Sequence, residues 1–150
     1  MPKTAAKTAR TKTARKSSFA LAKCDVMAFV ATARPADSRK FYQDVLGLRF
    51  VADEPYALVF DVNGIMLRIQ KVHAQTPARH TTLGWQVRDV RAAATELQRR
   101  GVDFQHYPGM GQDELGIWTS PSGARVAWFN DPDGNTLSLT EFPGKRRPKR

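Results

Sequence analysis

The sequence predicts an α+β fold made of two tandem βαβββ modules, whose strands form a curved mixed sheet around a cavity. One observation behind this prediction is a repeat: residues 56–70 and residues 124–141 each read as a strand, a tight turn containing glycine and a last strand. The other observation is that each copy follows an apolar strand and a segment with helical spacing. Because two small curved sheets can enclose a cavity, a binding site is expected among the residues that face it.

Charge divides the chain of 150 residues into one domain and two tails. Residues 1–22 contain six of the 24 Lys and Arg residues and no acid, and residues 143–150 contain five more. The remainder, with thirteen basic and fourteen acidic side chains, is close to neutral. We therefore predict a domain at 23–142 between disordered basic tails, 1–22 and 143–150, which either solubilise the protein or make weak contacts with polyanions.

The sequence leaves two compartments open. A single cysteine, Cys24, cannot form an internal disulfide bond, which fits a reducing compartment such as the cytoplasm. A basic, acid-free start with Ser and Thr is also typical of an organelle transit peptide, so this alternative stays open. The apolar stretch near the start, residues 19–30, is too short and too charged to span a membrane, and no membrane contact is predicted.

The first module is predicted at 23–72. It begins with an apolar strand around residues 26–30, predicted to be buried on both faces, and continues with a helix that Pro35 opens and Gly47 ends. Two strands follow. The second of them is joined to a last strand through Asn63-Gly64, a strong hairpin signal.

A linker at 73–81 leads to the second module, which is predicted at 82–142. Asp89 is placed to cap its helix, and Gly101 is placed to end it. An insertion that contains several glycines is expected within this module, at 108–123. The strands of the module are predicted at 82–88, 103–107, 125–129 and 136–141.

Two motifs add to the order of elements: the run Phe41-Tyr42-Gln43-Asp44-Val45-Leu46-Gly47-Leu48 and the turn Asp131-Pro132-Asp133-Gly134-Asn135. Together they make residues 24–142 resemble the vicinal oxygen chelate superfamily, which includes glyoxalase, the bleomycin resistance proteins and the extradiol dioxygenases. The resemblance implies a glyoxalase-like fold, a cavity for a small molecule and a homodimer. It leaves the reaction open, because this superfamily carries many chemistries on one scaffold.

In metal-using members of the superfamily, four inward side chains, commonly His or Glu, hold a divalent ion. The resemblance places these four positions at Met27, Arg68, Leu83 and Ser138. Thioether, guanidinium, hydrocarbon and hydroxyl groups do not suit such an ion. Glu141 is the one acid near these positions, and strand alternation turns it to the other face of the sheet. We therefore predict no metal and no cofactor.

Strand alternation predicts which side chains face the cavity. The predicted ligand-binding residues are Met27, Phe29, Met66, Arg68, Gln70, Leu83, Trp85, Ser138 and Thr140. Arg68 would favour a carboxylate, a phosphate or a polarised carbonyl; the alternatives are an ion pair with an acid such as Asp61 or a side chain that reaches solvent. Trp118 and Trp128 are predicted in the core. For Trp85, burial in the core and contact with the ligand are both left open.

The sequence therefore favours a protein that binds a small, anionic or carbonyl-bearing organic molecule without the superfamily's metal. No nucleophile or acid-base group stands out, so no catalytic residue is assigned. Two alternatives stay open: a lyase, isomerase or dioxygenase of the superfamily with a non-standard site, and an interaction protein that contacts polyanions through its basic tails.

Overall fold

The computed structural model describes residues 5, 8–9, 13–15 and 17–144, so ten residues of the predicted tail 1–22 and six of the predicted tail 143–150 lie outside the described residues. A 3₁₀ turn at Leu21–Lys23 precedes the domain. The first module contains β1 (Met27–Thr32), α1 (Pro35–Lys40, followed by a π-helical turn at Phe41–Val45), β2 (Arg49–Asp53), β3 (Ala57–Val62) and β4 (Ile65–Lys71). The second contains β5 (Thr81–Gln86), α2 (Val90–Arg99), β6 (Trp118–Thr119), β7 (Arg125–Asn130) and β8 (Thr136–Glu141).

The strands form two four-stranded mixed sheets, with the orders β1-β4-β3-β2 and β5-β8-β7-β6. In both sheets the first strand of the module pairs in parallel with the last, and the remaining pairs are antiparallel. The prediction of an α+β fold built twice is therefore confirmed. Among the described residues, neither helix is long and apolar enough to cross a membrane.

Local sequence signals act where they were predicted. Pro35 occupies the first turn of α1, and Gly47 follows the helical segment with a φ of 72°. In α2, the Asp89 carboxylate accepts a hydrogen bond from the Ala92 N–H at 2.9 Å, which satisfies one of the free donors at the helix start. Asn63 and Gly64 both have positive φ values, as the tight turn between β3 and β4 requires.

The two modules share one hydrophobic core. The Phe129 ring on β7 is fully buried and lies 6.5 Å from the Phe41 ring, which follows α1 in the other module. On β4, Leu67 and Ile69 are buried on the side of the sheet that contacts α1. Because helices and core occupy this side in both modules, we call the opposite side the helix-free face of each sheet.

The turn between β7 and β8 fastens the second module to the first. Asp131 is buried, and its carboxylate accepts hydrogen bonds from the Tyr42 hydroxyl and the Asn135 amide, both at 2.7 Å. Asp133 accepts a further bond from the Ala33 N–H at 2.7 Å, just before α1. Burial raises the pKa of Asp131 above its usual value, and it raises the pKa of the Tyr42 hydroxyl as well.

Two predictions of strand structure are wrong. Residues 103–107 form no strand; they make a single bridge, between Phe104 and Phe129, and the Phe104 side chain turns into the core. Pro108 lacks an N–H and cannot continue the pairing, so the insertion instead supplies β6. The first strand is not buried on both faces, because Met27 and Phe29 on its helix-free face are exposed.

Candidate functional site

The helix-free face of the first sheet brings five of the predicted ligand-binding residues together. Neighbouring residues in parallel strands point to the same side, and Met27 pairs with Met66 while Phe29 pairs with Arg68. Gln70 lies two residues after Arg68 on β4, so its side chain points to the same face of the sheet. The predicted grouping of these side chains on one surface therefore agrees with the observed register.

This surface is open in a single chain. The exposed fractions of Met27, Phe29 and Met66 are 51%, 47% and 43%. Exposed apolar side chains that share one face are typical of a binding or interaction surface. The helix-free face of the first sheet is thus an open surface rather than a closed chamber.

Arg68 forms an ion pair on this surface. Its Nη2 atom lies 2.6 Å from the Glu54 carboxylate, and both side chains keep contact with solvent. The ion-pair alternative is therefore what the structure shows, although the partner is Glu54, which follows β2. Asp61 instead lies 3.3 Å from Arg49. The positive charge of Arg68 is balanced but remains accessible from the side of the solvent.

The second sheet places the predicted residues on two different faces. Leu83 pairs with Leu137 and Trp85 with Leu139, so both point toward the helices. The Trp85 ring stacks on Phe129 at 6.5 Å with an interplanar angle of 20°. Their predicted inward orientation is wrong, because the pairing register shifts by one residue between Thr81 and Leu83 and puts both side chains on the core side.

The helix-free face of the second sheet instead carries Gly84 and Gln86 beside Ser138 and Thr140. The last two were predicted on this face, and the register agrees with that placement. Glu141 points to the opposite face, as predicted. Its carboxylate accepts a hydrogen bond at 2.8 Å from the Val90 N–H at the start of α2.

The residues at the superfamily's metal positions do not fit a divalent ion. Met27 offers a thioether, Ser138 offers a hydroxyl, and Arg68 carries a positive charge that would repel a cation. Leu83 points to the other side of its sheet. Among the described residues, no group of three or more His, Cys, Asp or Glu side chains is arranged to hold a metal.

Two cavities lie along β5. One has a volume of about 380 Å³ and is lined by residues of β1, the β3–β4 hairpin and β5, including Ala28 and Leu67. The other, of about 320 Å³, lies between α2 and the segment around Leu46. Trp85 and Gln86 line both. Of the nine predicted ligand-binding residues, only Leu83 and Trp85 line either of these cavities.

Sequence reasoning missed three aromatic residues. Trp128 pairs with Ser138 across β7 and β8, so it lies on the helix-free face rather than in the core. The Trp118 and Tyr107 rings lie 6.0 Å and 5.8 Å from the Trp128 ring. Strand alternation in β7 indicates this placement, because Trp128 lies between the core residues Ala127 and Phe129 and therefore points to the opposite face.

Two βαβββ modules joined through one core define a glyoxalase-like protein. A model of the Glyoxalase/Bleomycin resistance protein/Dioxygenase superfamily matches residues 25–139, and the chain belongs to this superfamily. No curated protein sequence matches the chain closely enough to be counted as a relative.

Solved structures share the fold at low sequence identity. A superfamily member from Sphaerobacter thermophilus is 24% identical, with a TM-score of 0.62, over 79% of this chain and 96% of that one. The lactoylglutathione lyase of Agrobacterium tumefaciens is 17% identical, with a TM-score of 0.61, over 79% and 93%. A glyoxalase-related enzyme from Fulvimarina pelagi is 19% identical, with a TM-score of 0.61, over 81% and 89%. At these identities the similarity establishes the fold alone.

Proposed function

We propose that the protein binds a small organic molecule, anionic or carbonyl-bearing, on the helix-free face of the first sheet and without a metal at the superfamily's positions. The observation that carries this proposal is the placement of Arg68 beside Met27, Phe29 and Met66. Apolar side chains beside the Arg68 guanidinium and the Gln70 amide are typical of a small-molecule site.

The ion pair leaves Arg68 able to bind a ligand. A guanidinium has five N–H donors, and among the described residues Arg68 makes one side-chain hydrogen bond, to Glu54. Glu54 is itself well exposed, so little is lost when its carboxylate returns to water. A ligand carboxylate or carbonyl can therefore either use the remaining donors or displace Glu54.

Opposite changes at these two residues test the proposal. Arg68→Met is expected to weaken binding of phenylpyruvate and benzoate by about tenfold or more, because a charge-assisted hydrogen bond is lost. Glu54→Gln is expected to strengthen binding of the same anions, because it removes a competing carboxylate. Isothermal titration calorimetry measures both, with the neutral benzamide as the reference compound.

Arg49→Met serves as the matched control, since Arg49 lies in the same sheet and forms its ion pair with Asp61. Its affinity for the anions should equal that of the unaltered protein. Equal benzoate binding by the Arg68→Met variant and the unaltered protein would contradict the assignment of Arg68.

Metal analysis separates this proposal from an enzyme of the superfamily with a non-standard metal site. After dialysis against buffer, the protein is expected to retain well under one equivalent of Zn, Ni, Fe or Mn, because the donor set does not suit these ions. Mass-spectrometric metal analysis gives the stoichiometry. One equivalent of retained ion would favour the lyase, isomerase or dioxygenase alternative.

Three further expectations belong to the proposal. A homodimer is common in this superfamily, and light scattering of the full chain tests it. Polyanion contact through residues 1–22 and 143–150 would be lost, with its salt dependence, when both segments are deleted.

A cytoplasmic location, with an organelle as the alternative, can be tested by imaging the tagged full-length chain.

A further inference from the structure

Three aromatic rings form a corner on the helix-free face of the second sheet. We call Trp128, Trp118 and Tyr107 the aromatic bay. The Tyr107 ring meets the Trp128 ring at 76°, whereas the Trp118 ring is tilted from it by 37°. All three keep contact with solvent, so the bay is a surface feature and not a part of the core.

The Trp128 ring extends across the sheet. Trp128 belongs to β7, and its Nε1 atom donates a hydrogen bond at 3.1 Å to the hydroxyl of Thr81 on β5. Because β8 lies between these two strands, the indole crosses over β8. Ser138, the β8 residue opposite Trp128, is only 6% exposed, as expected for a residue beneath the ring.

A glycine completes the support under the ring. Gly84 on β5 pairs with Ser138, and a Cβ atom at this position would lie 2.6 Å from the Ser138 hydroxyl. The missing side chain lets the Ser138 side chain lie close to β5, beneath the indole that reaches Thr81. One face of the indole therefore rests on the sheet, and the other face is directed away from it.

The Tyr107 ring lies beside the Trp128 ring and is nearly perpendicular to it. The backbone N–H of Tyr107 donates a hydrogen bond at 2.6 Å to the side-chain oxygen of Gln112, whose amide nitrogen donates in turn to the carbonyls of Gln105 and Gly116. These three bonds hold the loop that carries Tyr107. The corner between the Trp128 and Tyr107 rings is thus formed before a ligand binds, which lowers the entropic cost of binding.

The strand positions around the bay carry no charged side chain. On the four described strands of this sheet, the helix-free positions carry hydroxyl, amide, aliphatic and aromatic side chains and no charged group; they include Gln86, Trp118, Val126, Asn130, Thr136 and Thr140. An indole face carries negative electrostatic potential and attracts cations and electron-poor rings. An anion would find hydrogen-bond donors on these strands but no positive charge to pair with.

We propose that the aromatic bay binds a planar heteroaromatic group, uncharged or cationic, stacked on the outer face of Trp128 with its edge against Tyr107. The inference rests on the proposed function, since both assign ligand binding to the helix-free faces. The Arg68 surface and the bay lie on different sheets, however, and can be tested separately.

N-methylquinolinium is the probe, and decahydroquinoline, which is cationic at neutral pH but not planar, is the matched compound. Binding to the full chain is followed by calorimetry and by quenching of tryptophan fluorescence. N-methylquinolinium is expected to bind at least about tenfold more tightly than decahydroquinoline, and Trp128→Ala is expected to weaken it by at least about tenfold, because stacking on one ring is lost.

Control variants separate stacking from general effects. Trp85→Phe alters a tryptophan on the opposite face and should leave the affinity unchanged. Thr81→Val removes only the hydrogen bond that orients the indole, so a several-fold loss is expected there even if Trp128→Ala fails to fold.

The outcomes distinguish this inference from the proposed function. The proposal for the aromatic bay is overturned if N-methylquinolinium and decahydroquinoline bind with equal affinity. It is also overturned if the Trp128→Ala and Thr81→Val variants both bind N-methylquinolinium as tightly as the unaltered protein. If benzoate binds through Arg68 while N-methylquinolinium does not bind, only the bay is overturned. If neither compound binds, both proposals are overturned.

Discussion

Replacement of Asp131 by alanine is expected to lower the free energy of unfolding by about 3 kcal/mol or more, because buried hydrogen-bonding groups lose their acceptor. The Tyr42 hydroxyl belongs to a fully buried side chain and donates to Asp131 at 2.7 Å. The Asn135 amide nitrogen donates at the same distance, and the backbone N–H groups of Asp133 and Asn135 donate to the other carboxylate oxygen. Urea denaturation of the purified variant measures the change.

A surface carboxylate gives the matched control. Asp37 forms an exposed ion pair with Arg34 at 2.7 Å, and Asp37→Ala is expected to cost no more than about 1 kcal/mol. Tyr42→Phe removes the donor instead of the acceptor and should cost less than Asp131→Ala. A loss below about 1 kcal/mol for Asp131→Ala would show that the turn does not hold the two modules together.

Phe129→Ala is expected to destabilise the protein by about 3–5 kcal/mol, the usual cost of truncating a buried aromatic ring. The ring is fully buried and packs against Phe104 at 5.5 Å and against Trp85 and Phe41 at 6.5 Å. Since Phe41 belongs to the other module, the loss should affect the whole domain. Thermal unfolding followed by circular dichroism should still show one transition, at a lower temperature.

Phe142→Ala is the comparison, because Phe142 is exposed just after β8 and its loss should change stability by less than about 0.5 kcal/mol. Two separate transitions in the Phe129→Ala protein would contradict a single shared core. They would indicate that each module folds by itself.

The order of elements could be predicted because it depends on local signals. Pro35, Gly47, Asp89 and the Asn63-Gly64 turn act within a few residues of their position, and each has the predicted role in the structure. The first-sheet surface could be predicted as well, since β1 and β4 are regular and alternation holds along both strands.

The second-sheet surface could not be predicted, because its register depends on an irregularity. The register shift near the start of β5 reverses the faces to which Leu83 and Trp85 point, and no residue type at this position predicts such a shift. The partner of Arg68 depends on how the segment after β2 folds back toward β4, which brings Glu54 near. Trp128 was assigned to the core by residue type, although its phase in β7 placed it on the helix-free face.

The two β-hairpin turns differ in how closely they are packed. A Cβ atom at Gly64 would meet nothing within 4 Å, whereas one at Gly134 would lie 3.2 Å from the Pro77 ring. Exposed turn tips are the positions that best tolerate added residues. A reporter peptide or fluorophore should therefore be grafted between Asn63 and Gly64, and the equivalent position in the second half should be left intact.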